Sequence, residues 1–242
     1  MGLKNFIKAV RPKVGVSNES VREQWLEQAL KKIPGGSKIL DAGAGTQQYK
    51  KFCAHLNYVS QDFAQYDGQG DKSGLQMGEF DYGKLDIVSD ITSIPEPDDS
   101  FDAIMCIEVL EHLPDPAKAV IEFSRLIKPG GYLIITAPFC SFTHFSPYHF
   151  STGFHKYWYQ THLKENKFEI LEITANGNFF EFLAQEIYRT PNISERYSKS
   201  KIGLTGMIAA FFLQRKLLKL SRRDSGSSEF ACFGYHVVAK KI

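Results

Sequence analysis

The sequence predicts an α/β fold in which helices cover both faces of a doubly wound, mostly parallel sheet. Three observations lead to this prediction: strand-like and helix-like stretches alternate, the run 103–107 is apolar without alternation, and glycines follow the first predicted strand. Strands separated by helices require crossover connections, which bring parallel strands together, and a strand buried on both faces reads as continuously apolar. A length of 242 residues is enough for one large domain.

Periodicity and punctuation define the first elements. Apolar residues recur on one helical stripe from Val21 to Ile33, which predicts a helix over 18–33. Pro34-Gly35-Gly36 ends this helix, because proline cannot continue it and glycine favours other conformations. The following residues, Lys38-Ile39-Leu40-Asp41, predict a short strand that leads into a glycine turn.

Further along the chain, predicted strands alternate with helices and then give way to a long connection. Strands are predicted at 57–61, 85–89, 102–107, 131–136, 168–175 and 230–239, and helices at 46–55 and 115–128. We expect a single domain over 1–242. Its parts are an N-terminal helical segment (1–36), a core (37–175), a helical lid or insertion (176–229) and a last strand (230–242).

Composition excludes several classes of protein. With 43% hydrophobic residues and a net charge of +2, the chain is too apolar for a disordered protein and too neutral to predict a nucleic-acid partner. Four cysteines without a C-x-x-C pair indicate free thiols in a reducing compartment. The start, Met1-Gly2-Leu3-Lys4, lacks the apolar region of a signal peptide, and no stretch reaches the ~20 apolar residues of a membrane span. We expect a cytoplasmic protein.

The sharpest local motif is the glycine turn Asp41-Ala42-Gly43-Ala44-Gly45. Glycines let the backbone bend tightly and approach a ligand, and the amides at the start of a following helix can bind polar groups. A dinucleotide fingerprint would need another glycine at position 48, where the chain has Gln48. A nicotinamide- or flavin-dependent oxidoreductase is therefore the less favoured alternative.

Acidic residues follow three other predicted strands. Asp62, Asp90 and Glu108 each come at or just after the end of a strand. The carboxyl ends of parallel strands line one crevice, so these carboxylates are expected to converge there. Carboxylates can accept hydrogen bonds from ribose hydroxyls and from amines, which suits a nucleoside joined to an amino acid.

Five motifs stand in a fixed order between positions 39 and 139. They are Ile39–Thr46, Asp90-Ile91, Phe101–Ile104, Glu108–Asp115 and Leu126–Leu133. Together they resemble the class I S-adenosylmethionine-dependent methyltransferases that act on small molecules. The resemblance implies a Rossmann-like sheet of seven strands and S-adenosyl-L-methionine as the cofactor.

The resemblance also implies which residues of the glycine turn lie at the cofactor. The loop that would border its methionine end comprises Asp41, Ala42, Gly43, Ala44 and Gly45. Gln47 stands where the family often has a third glycine. Either the loop is tighter here, or the Gln47 side chain itself contacts the cofactor.

The remaining cofactor contacts implied by the resemblance lie after later strands. Asp62 would hold the ribose hydroxyls, with Phe63 beside the adenine. Asp90 and the Ile91 amide would bind the adenine edge. Glu108 would lie near the methionine moiety.

The reaction requires an acceptor aligned with the methyl group and, for a hydroxyl acceptor, a group that takes its proton. Residues 139–159 contain nine aromatic residues with His144, His149 and His155 among them. Such a segment can wall an apolar pocket and supply a base, for which His149 is the candidate; the alternative is a packing region with incidental histidines. We expect methyl transfer to an oxygen of a small organic molecule, such as a sugar, a quinone precursor or a lipid-linked intermediate.

The run Glu108-Val109-Leu110-Glu111-His112 has two interpretations. Its carboxylates and imidazole are potential ligands of a divalent ion that a later histidine would complete, as in a metal-assisted O-methyltransferase. The same residue pattern also occurs where its side chains only cap the helix that follows and pack against it. We favour the second interpretation and expect no metal.

The C-terminal connection is apolar at first and basic afterwards. Residues 202–213 are mainly apolar, and the cations that follow are Arg215, Lys216, Lys219, Arg222 and Arg223. Such a helix can lie on an anionic membrane surface or pack as a lid. A non-catalytic, membrane-peripheral protein that binds the cofactor is therefore a second alternative. The sequence leaves the oligomeric state open.

Overall fold

The computed structural model describes residues 12–242, and the part of the predicted N-terminal segment before Pro12 lies outside them. A seven-stranded sheet has the order β3-β2-β1-β4-β5-β7-β6. Its strands are β1 (Lys38–Ala42), β2 (Asn57–Asp62), β3 (Ile87–Val88), β4 (Phe101–Ile107), β5 (Ile127–Pro138), β6 (Phe168–Asn176) and β7 (Gly234–Lys241). The prediction of a mostly parallel, doubly wound sheet of seven strands is confirmed.

Strand pairing brings several strand ends to one edge of the sheet. β1 lies between β2 and β4 and is parallel to both, with Asp41 opposite Ser60 on one side and Met105 on the other. β2 and β3 are also parallel, as are β4 and β5, whereas β7 is antiparallel to β5. The four strands β1 to β4 therefore end at the same edge, where a crevice forms in open parallel sheets.

Burial of β4 explains its apolar sequence. Ala103, Ile104, Met105 and Cys106 have no exposed surface. One core cluster joins residues of β1, β4, β5 and β7 to the first helix of the described chain. None of the four cysteines, all of which lie within residues 12–242, forms a disulfide.

Five α-helices occur in residues 12–242. They are α1 (Asn18–Lys31), α2 (Pro116–Leu126), α3 (Lys156–Glu165), α4 (Phe179–Ile193) and α5 (Gly203–Ser221). The Asp115 side chain caps α2 by accepting a hydrogen bond from the Lys118 amide, and Pro116 fits the first helical position because its missing N–H is not needed there. None of the helices in this part of the chain combines the length and hydropathy needed to cross a bilayer.

Three local predictions are wrong, and one of them is the strand predicted from 230, because β7 begins at Gly234. Instead of a helix over 46–55, the chain forms turns and a short 3₁₀ helix, Lys50–Phe52, because Gln47 adopts a left-handed conformation (φ 56°) that ends any helix. β5 begins at Ile127 rather than at 131: Phe101 pairs with Ile127 and Ala103 with Tyr132, so the residues between bulge out of the ladder.

The chain divides into two compact units. One contains the described residues up to Arg22 together with Ala175–Phe233, and the other contains Glu23–Thr174 and Gly234–Ile242. The second unit carries the strands β1 to β5, β7 and most of β6. In the first unit, Val14, Ala184 and Leu217 form a small buried cluster that joins α4 and α5.

Candidate functional site

The glycine turn after β1 is closed onto the end of β2 by backbone hydrogen bonds. The amides of Gly43 and Ala44 donate to the Gln61 carbonyl oxygen at 2.9 and 2.8 Å, and the Gly45 amide donates to Asp62 Oδ2 at 2.8 Å. Gly43 has φ 77°, and a Cβ there would lie 2.6 Å from the Val109 side chain. Only glycine fits this position, because both the conformation and the space exclude a side chain.

Asp41 lies inside the sheet and is 2% exposed. Its Oδ2 accepts a hydrogen bond from the Tyr58 hydroxyl at 2.7 Å. Burial raises the pKa of this carboxyl to about 7, although the Tyr58 hydrogen bond opposes the shift and the nearby Asp62 adds to it. The side chain thus anchors the turn to β2; a cofactor contact by Asp41 stays a prediction.

Asp62 ends β2 with both carboxylate oxygens held by backbone amides. Oδ2 accepts from Gly45, and Oδ1 accepts from Ala64 at 3.0 Å. Burial raises the pKa of Asp62, and these hydrogen bonds counteract part of the rise. The next residue, Phe63, packs edge to face on Tyr148 with ring centroids 4.9 Å apart. Asp62 and Phe63, which are predicted to contact the ribose and the adenine, therefore lie beside the aromatic segment that follows β5.

Asp90 and Glu108 occupy the ends of β3 and β4. Asp90 Oδ1 accepts hydrogen bonds from the amide and the hydroxyl of Thr92, both at 2.8 Å, and Ile91 is buried. Glu108 has φ 57°, and its Oε1 accepts from Thr136 Oγ1 at 2.8 Å. A positive φ at a residue with a long side chain is strained, and such strain is concentrated at functional sites.

The Gln47 side chain is held by hydrogen bonds to two backbone carbonyl oxygens. Its amide nitrogen donates to the carbonyl oxygens of Tyr82 and Lys84 at 2.8 and 2.9 Å. This residue therefore ties the glycine turn to the loop before β3. Of the two expectations for this position, the tighter loop agrees with these contacts, and a cofactor contact by Gln47 stays a prediction.

A cluster of four ionisable residues lies next to this edge; we call it the histidine cluster. It consists of Glu111, His112, His144 and His149. Glu111 Oε1 lies 3.7 Å from His112 Nε2 and 3.8 Å from His144 Nε2. Ring centroids are 4.7 Å apart for His112 and His144, and 4.8 Å apart for His144 and His149.

Two backbone contacts bring the cluster together. The amides of Phe150 and Ser151 donate to the Glu111 carbonyl oxygen at 2.9 and 3.1 Å, which ties the segment after β5 to the short 3₁₀ helix Leu110–His112 after β4. An isolated parallel β-bridge between Leu75 and His144 brings the loop after β2 to the same place. Residues from three separate segments therefore meet at one place.

Burial sets the charge of the cluster. It lowers the pKa of His112 and of His149, so both imidazoles are neutral at neutral pH. Burial opposes charge on Glu111 and His144 as well. Their mutual hydrogen bond and charge attraction outweigh burial, so the pKa of Glu111 is lowered and that of His144 is raised. The cluster thus carries an anionic carboxylate facing imidazole nitrogens.

Sequence reasoning selected His149 but missed much of its surroundings. Glu111 and His112 were considered as metal ligands or as helix-capping residues, with His112 also as a less favoured base, and His144 was one of three histidines from which His149 was preferred. The aromatic wall includes Tyr66 and Phe80 from the loop after β2, with Tyr66 stacked on Phe145 at 4.4 Å. Aromatic residues spaced through 63–82 were the available signal. His155 instead caps α3, where it accepts a hydrogen bond from the Tyr157 amide.

Comparison with known proteins identifies the region that carries this edge. Residues 40–135 match a family model described as a methyltransferase domain. This region is therefore similar to a methyltransferase domain. The predicted resemblance to class I methyltransferases is confirmed, and at the level of the family so is the expected cofactor, S-adenosylmethionine.

Curated relatives of the methyltransferase domain include two named for quinone biosynthesis. A ubiquinone biosynthesis O-methyltransferase of Alkalilimnicola ehrlichii is 49% identical over 125 residues, which are 48% of this chain and 47% of the relative. A demethylmenaquinone methyltransferase of Renibacterium salmoninarum is 31% identical over 136 residues, which are 52% and 54% of the two chains. The chain thus spans about half the length of these relatives.

A solved structure supports the fold over nearly the whole chain. A methyltransferase of Archaeoglobus fulgidus, described as dependent on S-adenosylmethionine, superposes with a TM-score of 0.56 at 19% identity. The match covers 92% of this chain and 94% of that one. At this identity the likeness establishes the fold and not the substrate.

We predict that Asp41→Asn stabilises the protein above neutral pH. The pKa of Asp41 in the folded state, about 7, is above the ordinary aspartate value of 3.8, so ionisation of Asp41 disfavours the folded state as pH rises through this window. The variant keeps an acceptor for Tyr58 without the charge. Its free energy of unfolding, measured with urea, should rise relative to that of the wild type by up to about 1.4 kcal/mol per pH unit between pH 4 and 7. A difference that does not change with pH would contradict the prediction.

Proposed function

We propose that the protein transfers a methyl group from S-adenosylmethionine to an oxygen of a small organic acceptor. One observation carries this proposal: the glycine turn and the acids at the strand ends lie beside a histidine cluster in which both ring nitrogens of His149 are buried without a hydrogen-bond partner among the described residues. The first group suits an adenosyl cofactor, and the second suits a polar acceptor.

The conformation of the residues at the strand ends supports the proposed cofactor contacts. A Cβ at Gly43 would collide with Val109, so glycine at this position lets the turn pack closely against the segment after β4. Asp62 is fixed by the Gly45 and Ala64 amides and retains lone pairs for the ribose hydroxyls. Asp90 and Ile91 are proposed to bind the adenine, and Glu108 the methionine end.

Methyl transfer forms a bond from the acceptor oxygen to the methyl carbon and breaks the bond from that carbon to sulfur. The cofactor supplies an electrophilic methyl group on a positively charged sulfur. The protein aligns the acceptor oxygen behind that carbon and removes the hydroxyl proton. His149 is our candidate for the proton acceptor, because burial lowers its pKa and keeps the ring neutral.

The acceptor that we favour is a hydroxylated aromatic ring of the quinone-precursor type. Two relatives are named for ubiquinone and menaquinone biosynthesis. The rings of Tyr66, Phe80 and Phe145 pack against one another next to His112, which offers flat apolar surface beside polar nitrogens. Sugars and lipid-linked intermediates are the alternative acceptors. Mass spectrometry of metabolites that gain one methyl group with the active protein separates these classes.

We also propose that α5 contacts an anionic membrane surface. Leu204, Ile208 and Phe212 recur at intervals of four residues and are 40, 37 and 65% exposed. Arg215 and Lys219 continue the same stripe, because these intervals keep residues on one helical face. The basic end lines a pocket of about 660 Å³ together with Arg222 and Arg223. Apolar insertion followed by cations suits a surface of anionic lipid, and the predicted role of this segment as a lid remains a further proposal.

Substitution of the proposed cofactor acids tests the first part of the function. Asp62→Ala and Asp90→Ala each remove a charged hydrogen-bond acceptor and should weaken binding of S-adenosylhomocysteine about 10- to 100-fold in isothermal titration calorimetry. Asp98→Ala, at an exposed carboxylate paired with Arg125, is the matched control and should bind as the wild type does. Thermal stabilisation of the wild type by NADH but not by S-adenosylhomocysteine would overturn the methyltransferase proposal.

Substitution of His149 tests the second part. His149→Ala should leave S-adenosylhomocysteine binding unchanged and slow turnover about 100-fold or more, the usual contribution of a positioned proton acceptor. His162→Ala is the control, since His162 lies on α3 outside the histidine cluster. Unaltered turnover in His149→Ala would show that His149 has no part in the reaction.

Liposome flotation tests the membrane proposal. The triple variant Arg215→Gln/Lys219→Gln/Arg222→Gln should lose about 100-fold in affinity for phosphatidylglycerol vesicles, given ~1 kcal/mol for each cation near the surface. Wild-type protein should float with these vesicles and not with phosphatidylcholine vesicles. Lys32→Gln/Lys118→Gln/Lys164→Gln removes the same charge elsewhere and should float as the wild type does. Equal flotation of both triple variants would refute the proposal.

A further inference from the structure

We propose that the histidine cluster binds a divalent transition-metal ion, with His112, His144 and His149 as ligands and Glu111 as the accompanying carboxylate. One ligand atom from each of the three histidines lies within 4.8 Å of the others. These residues come from the segments after β4 and after β5, so the fold rather than a sequence motif creates the group.

Hydrogen bonds fix two of the rings in the tautomer that a metal ligand needs. His112 Nδ1 lies 2.6 Å from the Tyr148 carbonyl oxygen, and His144 Nδ1 lies 2.9 Å from the Phe142 carbonyl oxygen. A carbonyl only accepts, so each Nδ1 carries a hydrogen, and Nε2 is the nitrogen of each ring that can bind a metal ion after losing any proton of its own. Both Nε2 atoms face Glu111 Oε1. Histidines that bind metal commonly donate their other N–H to a backbone carbonyl in this way.

Buried polar atoms of the histidine cluster that lack a hydrogen-bond partner among the described residues also indicate a ligand. His149 Nδ1, His149 Nε2 and Glu111 Oε2 are buried without a hydrogen-bond partner among the described residues. Burying such atoms without a partner costs free energy, so their presence together calls for an explanation. An ion bound between the rings would engage one nitrogen of His149, with the Glu111 carboxylate next to it as a balancing charge.

The donor set indicates which ions fit. Three imidazoles and one carboxylate suit Zn²⁺, Co²⁺ or Fe²⁺, whereas Mg²⁺ and Ca²⁺ prefer oxygen ligands. Around a tetrahedral Zn²⁺ at about 2.0 to 2.1 Å from each nitrogen, neighbouring ligand atoms lie about 3.4 Å apart. The ligand atoms of the three histidines lie within 4.8 Å of one another, so the rings would have to approach each other by little more than 1 Å.

This ligand set differs from the run Glu108–His112 that the sequence suggested. The Glu108 carboxylate instead accepts a hydrogen bond from Thr136 and does not belong to the group of converging ligand atoms. Two of the three imidazoles come from residues 144–149, beyond the run. The expectation that the protein carries no metal is therefore replaced by this proposal.

What the ion would do rests on the proposed function. A hydroxyl oxygen bound to a divalent ion loses its proton more readily, so the ion would present the acceptor oxygen as a nucleophile. His149 would then act as a ligand, and the Glu111 carboxylate beside it would accept the hydroxyl proton in its place.

Metal binding can be tested without methyl transfer. Protein stripped with a chelator is titrated with Zn²⁺ against a chromophoric competitor, and with Co²⁺, whose visible absorption reports tetrahedral coordination. One ion per chain is expected. His144→Ala and His149→Ala should each weaken Zn²⁺ binding by about 100-fold or more, since loss of an outer partner alone costs 10- to 100-fold. His155→Ala and His162→Ala, outside the cluster, should bind as the wild type does.

The outcomes separate this inference from the proposed function. Binding of S-adenosylhomocysteine by each variant checks that the domain is folded. Failure of the stripped wild type to bind Zn²⁺ or Co²⁺, or equal binding by the cluster variants and the controls, would overturn the metal site and leave the methyltransferase proposal with His149 as proton acceptor. Specific metal binding by a protein that does not bind S-adenosylhomocysteine would support the site and overturn the proposed function.

Discussion

The candidate site depends on the hydrogen bonds that close the glycine turn after β1 onto the end of β2. Gly43 and Ala44 donate to the Gln61 carbonyl, and Gly45 donates to the Asp62 carboxylate. These bonds fix both the shape of the turn and the direction of Asp62. Since β1 lies between β2 and β4 in the sheet, the same edge also receives Glu108. A rigid, largely buried sheet thus places polar groups where an adenosyl cofactor can reach them.

A second constraint positions the groups that would act on the acceptor. The Glu111 carbonyl holds the amides of Phe150 and Ser151, so the segment after β5 cannot move independently of the turn after β4. This contact keeps His149 near His112 and His144. The cofactor side and the acceptor side of the proposed reaction are therefore built on adjacent parallel strands, which is the common arrangement in open α/β sheets.

Sequence patterns predicted the sheet and its edge because both depend on short-range signals. Apolar runs, crossover spacing and glycines identified β1, β2 and β4 and the residues that follow them. The region 46–55 was predicted wrongly because its helical pattern does not reveal that Gln47 adopts a positive φ and bonds to the carbonyls of Tyr82 and Lys84.

The histidine cluster was predictable only in part. His149 stood out among aromatic residues, but the proximity of His144 and His149 to Glu111 and His112 results from contacts between segments that are 32 or more positions apart in the sequence. Such contacts depend on how loops pack, for which periodicity gives no signal. The same reason explains why Tyr66 and Phe80 were missed as part of the aromatic wall.

The most direct test of the central claim is a crystal structure of the protein with S-adenosylhomocysteine. The account predicts that the ribose hydroxyls bond to Asp62, that the adenine lies between Phe63 and Ile91, and that the sulfur faces the histidine cluster. A ligand bound away from the ends of β1, β2 and β4, or one with its sulfur turned away from His149, would contradict it.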